Sequence, residues 1–582
     1  MEIKTYQRRK SLLVFSVIAL VAAGLFVRLV YLMILSSERY ALAAQELHER
    51  ERPIKAERGI IYDRNGVILA DNMPVCTISV IHNQLTDAEQ VIRVLCEKLS
   101  LSEEYVRKRV EKYSSMERIK TNVEKEIADE IRAYELDGVM VDEDYRRYYP
   151  YATLASRVIG FTGGDNQGIV GLEAKYDFWL QGEPGKILTL ATAHGVEIPN
   201  AAEHREEPIP GNSLRTSLDV VIQRYAEQAA NKVLEAKSAI RVSLIVMNPK
   251  NGELYAMVNV PEYDLNTPYT FPAFYEEQYA LASMTEQEKM DLLNRMWRNP
   301  SISDTYEPGS AFKIITATAA FEHQVLRVTD SFYCPGYKIV EDRRIRCHKI
   351  AGHGGQTFLE AIKNSCNPAF MEVGARVGID GLYETFLALG LFSKTGIDLP
   401  GEATSIMHKA EKVGAVELAT ISFGQSFQIT PIQLLSAVST VINGGTRIIP
   451  HVGTQIVNME GTVIKTIQGT GESGAVSETT SELMKELLEK VVSEGTGKRA
   501  YLPGMRIGGK TATSEKLPRS SNQYISSFVG FAPAEDPEVI AMVLIDEPEG
   551  IYYGGTIAAP VIAEVFDMIL PYLGIEPQPE EL

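Results

Sequence analysis

Residues 12–35 form a long apolar run broken only by Arg28, and such a run leaves a chain few ways to fold. Roughly 20 helical residues, at about 1.5 Å each, cross the hydrocarbon core of a bilayer. One spanning helix is therefore predicted. Lys4, Arg8, Arg9 and Lys10 precede it against Glu2 alone. The positive-inside tendency then leaves the N-terminus in the cytoplasm and exports everything after residue 36. Arg28 falls near the outer end, where a long cationic side chain snorkels. A cleaved leader is the rival reading, because Ala41-Leu42-Ala43 resembles a processing site, but the run is longer than the roughly 7 to 15 apolar residues usual there.

At 582 residues the chain is long enough for two or three folded units. Its 45% hydrophobic and 23% charged content is that of a globular protein. A formal charge of -18 opposes the basic surface that binding of nucleic acid requires. Five cysteines are too few and too unevenly spaced for a disulfide scaffold in an exported chain. Cys76 and Cys96 read as buried thiols.

Residues 57–72 read as a β-hairpin around the turn Asp63-Arg64-Asn65-Gly66. Residues 86–136 carry helical periodicity among many charges. Pro184-Gly185 and Ile209-Pro210-Gly211 punctuate the next stretch, and residues 218–235 read as a long amphipathic helix. Two strands, 243–248 and 253–260, are predicted around Pro249-Lys250-Asn251-Gly252. Strand-like runs return at 505–508, 525–531 and 539–545, and a terminal helix is expected over 559–573. The resulting division is 1–36 for the cytoplasmic end and anchor, 37–210 for an N-terminal pedestal, 211–575 for a larger domain and 576–582 for a polar tail.

The chemistry concentrates at Tyr306-Glu307-Pro308-Gly309-Ser310-Ala311-Phe312-Lys313. Pro-Gly turns the chain into an apolar helical run, so Ser310 is expected to start a helix, with Lys313 three residues on and on the same face. A serine hydroxyl is a poor nucleophile until a base takes its proton, which a lysine of depressed pKa can do. Ser365-Cys366-Asn367 adds a hydroxyl and an amide. Gly509-Lys510-Thr511-Ala512-Thr513 adds a cation and hydroxyls on an expected strand edge. Singly, these residues read as a helix cap, solvated charges and a turn former. In this order they form the trio typical of penicillin-binding proteins and serine β-lactamases.

Further motifs extend the resemblance along the chain. Arg58-Gly59-Ile60-Ile61-Tyr62-Asp63-Arg64-Asn65-Gly66, Arg147-Tyr148-Tyr149-Pro150, Gly171-Leu172-Glu173, Gly424-Gln425, Thr430-Pro431-Ile432-Gln433 and Ser527-Phe528-Val529-Gly530-Phe531 are similar to segments of class B penicillin-binding proteins. No glycosyltransferase-like segment is read before them. The resemblance implies an α+β multidomain protein: a transmembrane anchor, a β-rich elongated pedestal, and a penicillin-binding transpeptidase domain with an antiparallel sheet flanked by helices. It implies a peptidoglycan D,D-transpeptidase in the bacterial cytoplasmic membrane, acting outside on stem peptides, inhibited by β-lactams and partnered by a membrane-embedded polymerase. Ser310 is implied as nucleophile and Lys313 as its base. Ser365 and Asn367 would relay protons and hold the substrate amide; Lys510, Thr511 and Thr513 would bind the terminal carboxylate. The backbone N–H groups of Ser310 and Thr513 would receive the oxyanion. A D,D-carboxypeptidase, a β-lactam hydrolase, or an idle scaffold for a membrane glycosyltransferase are the alternatives. Ala512 stands where the family has glycine, so a narrowed cleft or altered strand twist is expected, with changed β-lactam reactivity.

Acyl transfer of this kind requires no cofactor. Cys334, Cys347, His353 and Cys366 nevertheless supply three thiols and an imidazole, enough for a tetrahedral zinc ion, with His348 as a competing imidazole. The resemblance adds that some relatives carry a metal or redox-active thiols in this region. A Cys347–Cys366 disulfide and free thiols remain the other readings.

Overall fold

The structure, a computed structural model, describes residues 2–37, 49–114, 116–190 and 204–577. The processing-like Ala41-Leu42-Ala43 and residues 578–582 of the polar tail lie outside them. Helix Glu2–Val30 (α1) continues into a π-helical turn, Tyr31–Leu35. Its apolar stretch Arg8–Leu35 spans 28 residues, none of them buried against protein. An apolar surface of that length without a protein partner matches a bilayer.

Two compact units make up the chain. One comprises Met1–Glu57, Met73–Arg146 and Glu183–Ile209; the other comprises Arg58–Asn72, Arg147–Gly182 and Pro210–Leu582. Residues 58–72 and 147–182 thus belong with the larger unit, which differs from a linear division at residue 210.

In the first unit, helices Ala88–Leu99, Glu103–Val110 and Lys125–Arg132 pack on strand residues 76–80 and on Glu117–Val123, which pair antiparallel. Cys76, Ile78, Leu95, Val106, Ile119 and Ile131 form its core. The helical reading of 86–136 missed the strand Glu117–Val123. Its buried residues, Ile119 and Val123, are separated by exposed polar ones, so charge spacing masked the alternation. Strands Glu49–Ile54, Gly185–Leu190 and His204–Glu206 form a separate three-stranded sheet.

The second unit is built on five antiparallel strands: β1 (Arg241–Met247), β2 (Leu254–Val260), β3 (Gly508–Glu515), β4 (Tyr524–Ala532) and β5 (Val539–Asp546). Their order is β2-β1-β5-β4-β3, leaving β3 at an edge. Strand β5 is buried along its whole length, as its apolar sequence requires when both faces are covered. On one face lie helices α2 (Val220–Ala236) and α3 (Ala559–Tyr572), which contribute Ile222, Ala226, Phe566 and Ile569 to a shared core. The stretch Gly554–Tyr572 is long and apolar enough to cross a membrane, yet it is packed here as a core helix. The opposite face packs against the helices that carry the polar residues described below. The run expected as a strand at 505–508 is a turn closed by a Leu502–Met505 bridge, and β3 begins only at Gly508.

The hairpin read at 57–72 forms: Ile61 and Tyr62 pair with Ala70 and Ile68, and Ile61–Tyr62 also run parallel to Leu214–Arg215. Asp63 closes its turn by accepting the N–H groups of Asn65 and Val67. Beside it, Arg58 and Arg147 place their Nε atoms 2.6 and 2.7 Å from the two oxygens of Glu173, and all three side chains are buried. Burial alone would raise the Glu173 pKa, but the two guanidinium groups outweigh it and hold the carboxyl below its ordinary value. This contribution to stability is therefore complete above the ordinary carboxylate range and is lost as pH falls through the lowered folded value. Glu173→Ala removes the ion-pair partner of buried Arg147 and leaves Arg58 with Asp177 alone, and should cost about 3 kcal/mol or more of unfolding free energy, read from denaturant titration of the detergent-solubilised protein.

Candidate active site

The segment that carries Ser310 is held by close backbone approach. Gly309 has φ of +56°, and a Cβ there would lie 2.5 Å from the Ser514 hydroxyl. A Cβ at Gly424 would lie 2.0 Å from the Gly309 carbonyl oxygen, and Gly309 donates its N–H to the Gly424 carbonyl at 2.9 Å. Tyr306 and Ile429 exchange both backbone hydrogen bonds. These contacts need glycine at both positions.

Ser310 lies in a 3₁₀ turn, Gly309–Phe312, and the α-helix proper starts at Lys313 and runs to Glu322. The expected helix start is thus one tighter turn, a common form of helix N-terminus. Phe312 anchors it edge-on against Phe427 and Phe386. Ser310 is half-buried, whereas Lys313 is wholly buried.

Lys313 Nζ donates to the Ser365 carbonyl at 2.7 Å, to Ser365 Oγ at 3.1 Å and to Asn367 Oδ1 at 2.7 Å. Lys510, also wholly buried, donates to the same Ser365 Oγ at 3.0 Å. One hydroxyl therefore bridges two lysines. Among the described hydrogen bonds none joins Ser310 Oγ to either amine. Ser365 is held at φ of +51° between the helix Phe358–Lys363 and the helix that Asn367-Pro368 begins. A left-handed serine costs conformational energy, and such strain clusters at functional positions. Asn367 completes the link by donating from Nδ2 to the Arg346 carbonyl.

Burial is the main reason Lys313 is pushed down to about 8, with the thiol groups of Cys347 and Cys366 partly opposing it. Lys510 is driven well below an ordinary lysine, first by burial and then by the charge of Lys313. A neutral amine beside a serine is what general-base chemistry requires.

Thr511 and Thr513 lie on β3, but their hydroxyls are engaged elsewhere: Thr511 Oγ1 donates to Thr496 Oγ1, and Thr513 Oγ1 accepts the Gly554 N–H. Thr496 also donates its N–H to the Lys363 carbonyl, two residues before Ser365, and so ties β3 to the Ser365 loop. Thr496, Gly554 and Glu307 escaped sequence reasoning. Only the Gly424-Gln425 motif hinted at the segment packed against the serine turn.

Ala512 is 2% exposed and belongs to the main core. Strand alternation sets it on the face of Lys510 and Ser514, packed inward rather than into an open cleft. Of the two expected routes, altered packing or twist of β3 suits this buried position, which shares the face of the Lys510 side chain that reaches Ser365.

Cys334, Cys347, His353 and Cys366 come together beside Asn367, with their ligand atoms all within 4.8 Å of one another. All five cysteines are free thiols, so the Cys347–Cys366 bond left open by the sequence is not formed. Cys347 is driven toward the thiolate, above all by a hydrogen bond from Cys366, whose own thiol is pushed up by that role and by burial. Burial lowers His353, keeping its imidazole neutral. His348 Nδ1 also lies 3.9 Å from Cys347 Sγ. A cavity of about 770 Å³ lies away from this constellation. Several of its charged walls pair with one another, Arg241 with Asp304 and Asp546, and Lys516 with Asp546.

The profile of the penicillin-binding protein transpeptidase domain matches residues 242–567, and that of the penicillin-binding protein dimerisation domain matches 53–216. Stage V sporulation protein D of Bacillus subtilis is 38% identical over 564 residues, covering 95% of this chain and 84% of its own. Peptidoglycan D,D-transpeptidase FtsI of Escherichia coli is 27% identical over 581 residues, covering 96% and 91%. Among solved structures, a peptidoglycan synthetase from Bifidobacterium adolescentis superposes with a TM-score of 0.72 at 21% identity, over 92% of this chain and 98% of that one. Penicillin-binding protein 3 of Mycobacterium tuberculosis, solved with aztreonam, gives 0.67 at 22%, over 91% and 98%.

Proposed function

Since the chain belongs to the class B penicillin-binding proteins, we propose that it is a peptidoglycan D,D-transpeptidase working through a serine acyl-enzyme on Ser310. The observation that carries this reading is Ser365 Oγ held between the buried amines of Lys313 and Lys510. That arrangement, one helical turn from a half-buried serine, supplies a base and a proton path away from water.

In the reaction, Lys313 in its neutral form takes the Ser310 hydroxyl proton as Oγ attacks the carbonyl of the penultimate D-Ala. The backbone N–H groups of Ser310 and Thr513 receive the negative oxygen of the tetrahedral intermediate. The C–N bond then breaks, and the departing D-Ala amine collects a proton relayed from Lys313 through Ser365. Lys510, Thr511 and Thr513 hold the terminal carboxylate during this step, Thr513 through the O–H that remains while its oxygen accepts the Gly554 N–H and Thr511 by turning from Thr496, and Asn367 orients the peptide amide. The amine of a second stem peptide attacks the Ser310 ester, loses a proton to the same relay, and releases Ser310 as the cross-link forms. β-Lactams enter as acylating mimics of the donor.

The N-terminal helix supports a single-pass anchor with the catalytic unit outside the membrane, and a membrane-embedded polymerase as partner. The Cys334, Cys347, His353 and Cys366 set suits structural zinc. Three sulfurs and one nitrogen converge, one thiol is driven toward the thiolate, and the imidazole is neutral. Zinc held there would brace the loop that presents Ser365 and Asn367; the acyl transfer itself runs on this chain's own side chains.

Four outcomes are expected. Fluorescent penicillin labels the full-length protein, intact mass locates the adduct on Ser310, and Ser310→Ala abolishes it; with an acceptor peptide the product is cross-linked rather than hydrolysed. Because Lys313 is charged below pH 8 and neutral above it, acylation should rise about tenfold between pH 7 and pH 9, and Lys313→Arg should remove the rise along with most activity. Elemental analysis should find one zinc per chain, removed by chelator with loss of thermal stability; no stoichiometric metal ends that assignment. Photo-crosslinkers along α1 should capture a membrane polymerase, and capture of none removes the partner.

A further inference from the structure

Glu307 lies three residues before Ser310, and its side chain is only 5% exposed. A carboxylate so withdrawn from water needs hydrogen bonds and an opposite charge close by. Its Oε1 accepts the Ser426 N–H at 2.9 Å. Its charge is met by Arg519, whose Nη2 lies 3.2 Å from Oε1 and 3.1 Å from Oε2. Among the described residues, Arg519 is the one cation within ion-pair distance of Glu307. The two residues are 212 apart in sequence.

Arg519 opens the 3₁₀ turn Arg519–Ser521 in the loop between β3 and β4. Its Nη1 also reaches Glu515, the last residue of β3, at 3.5 Å. The serine turn is held on one side by backbone: Gly309 to Gly424, Tyr306 to Ile429. Ser426, with φ of +71°, belongs to that same side. Arg519 comes from a different segment, the continuation of the strand that carries Lys510, Thr511 and Thr513.

We infer that Arg519 is a positioning residue for the reaction: through Glu307 it fixes the turn that presents Ser310 and pins the β3–β4 loop to that turn. The inference rests on the reading of Ser310 as the nucleophile. The pair is asymmetric, since Arg519 is 39% exposed and Glu307 is buried. Losing the arginine costs little on its own side but leaves a buried carboxylate with one N–H. Movement of Glu307 toward water then pulls on the two-residue link Pro308-Gly309 that joins it to Ser310. A nucleophile displaced by about 1 Å reacts on the order of a hundredfold more slowly. One nitrogen, Nη2, makes both contacts with Glu307, so a lysine ammonium can replace it.

The test is time-resolved acylation of the full-length, detergent-solubilised protein by fluorescent penicillin, separating non-covalent binding from the acylation rate constant and recording the final labelled fraction. For Arg519→Ala the rate constant should fall about tenfold or more while labelling still runs to completion. Arg519→Lys should recover most of the rate. Combining Arg519→Ala with Glu307→Gln should be no slower than the slower single variant, because the two act as one unit. The inference is overturned if Arg519→Ala acylates at the wild-type rate constant, if the losses multiply in the double variant, if lysine fails to rescue, or if only the labelled fraction falls. Wild-type protein that takes no label on Ser310 sinks the underlying acyl-enzyme reading instead; wild-type labelling with an indifferent Arg519→Ala sinks this inference alone.

Discussion

Two amines removed from water meet on one hydroxyl, and the rest of the larger unit is arranged to make that possible. A buried ammonium is costly, and two close together are costlier, so both Lys313 and Lys510 are displaced toward the neutral form. Among the described hydrogen bonds they donate to oxygens alone: the Ser365 carbonyl and hydroxyl, the Asn367 amide and the Thr511 carbonyl. Holding those acceptors in place requires a serine in a left-handed backbone conformation, an edge strand locked to its neighbour over eight paired residues, and a helix whose first turns are wholly buried. The apolar core matters here chiefly because it keeps competing water away from the amines.

The N-terminal motifs acquire a physical explanation from the same unit. Arg58, Arg147 and Glu173 come from three stretches that look unrelated along the chain, yet they close into one buried ionic knot. Their residue types are fixed by mutual dependence: Arg147 is tolerable inside because of the glutamate, Arg58 because of the glutamate together with Asp177, and the glutamate because of both arginines.

Much of the candidate site was readable because its members are short-range and chemically distinctive. Ser310 with Lys313, Ser365 with Asn367, and Lys510 to Thr513 each announce themselves within a few residues, and the five strands of the main sheet follow from apolar runs and tight turns. What escaped was set by distance or by camouflage. Thr496 meets Thr511, and Arg519 meets Glu307, only after folding, and neither Thr496 nor Arg519 stands out in its own segment. Strand Glu117–Val123 was hidden by its charges. How the Ala512 methyl bears on the site depends on the packing of β3, which is a tertiary matter. The discontinuous second unit was invisible for a related reason: burial of Glu173 and the parallel pairing of Ile61–Tyr62 with Leu214–Arg215 are tertiary facts.

That discontinuity has a bearing on how the protein can be dissected. A soluble fragment begun at residue 211, where the punctuation of the chain invites a cut, would omit 58–72 and 147–182, and with them the strand that borders Leu214 and the core residues Leu172, Tyr176 and Leu180. It would present raw interior to solvent along one side. Excision of the first unit by starting at 58 and joining 72 to 147 and 182 to 210 is no simpler, since the chain leaves and re-enters the larger body more than once. A workable fragment keeps 58–72, 147–182 and the chain from 210 onward together, and so carries the segments of the first unit that lie between them.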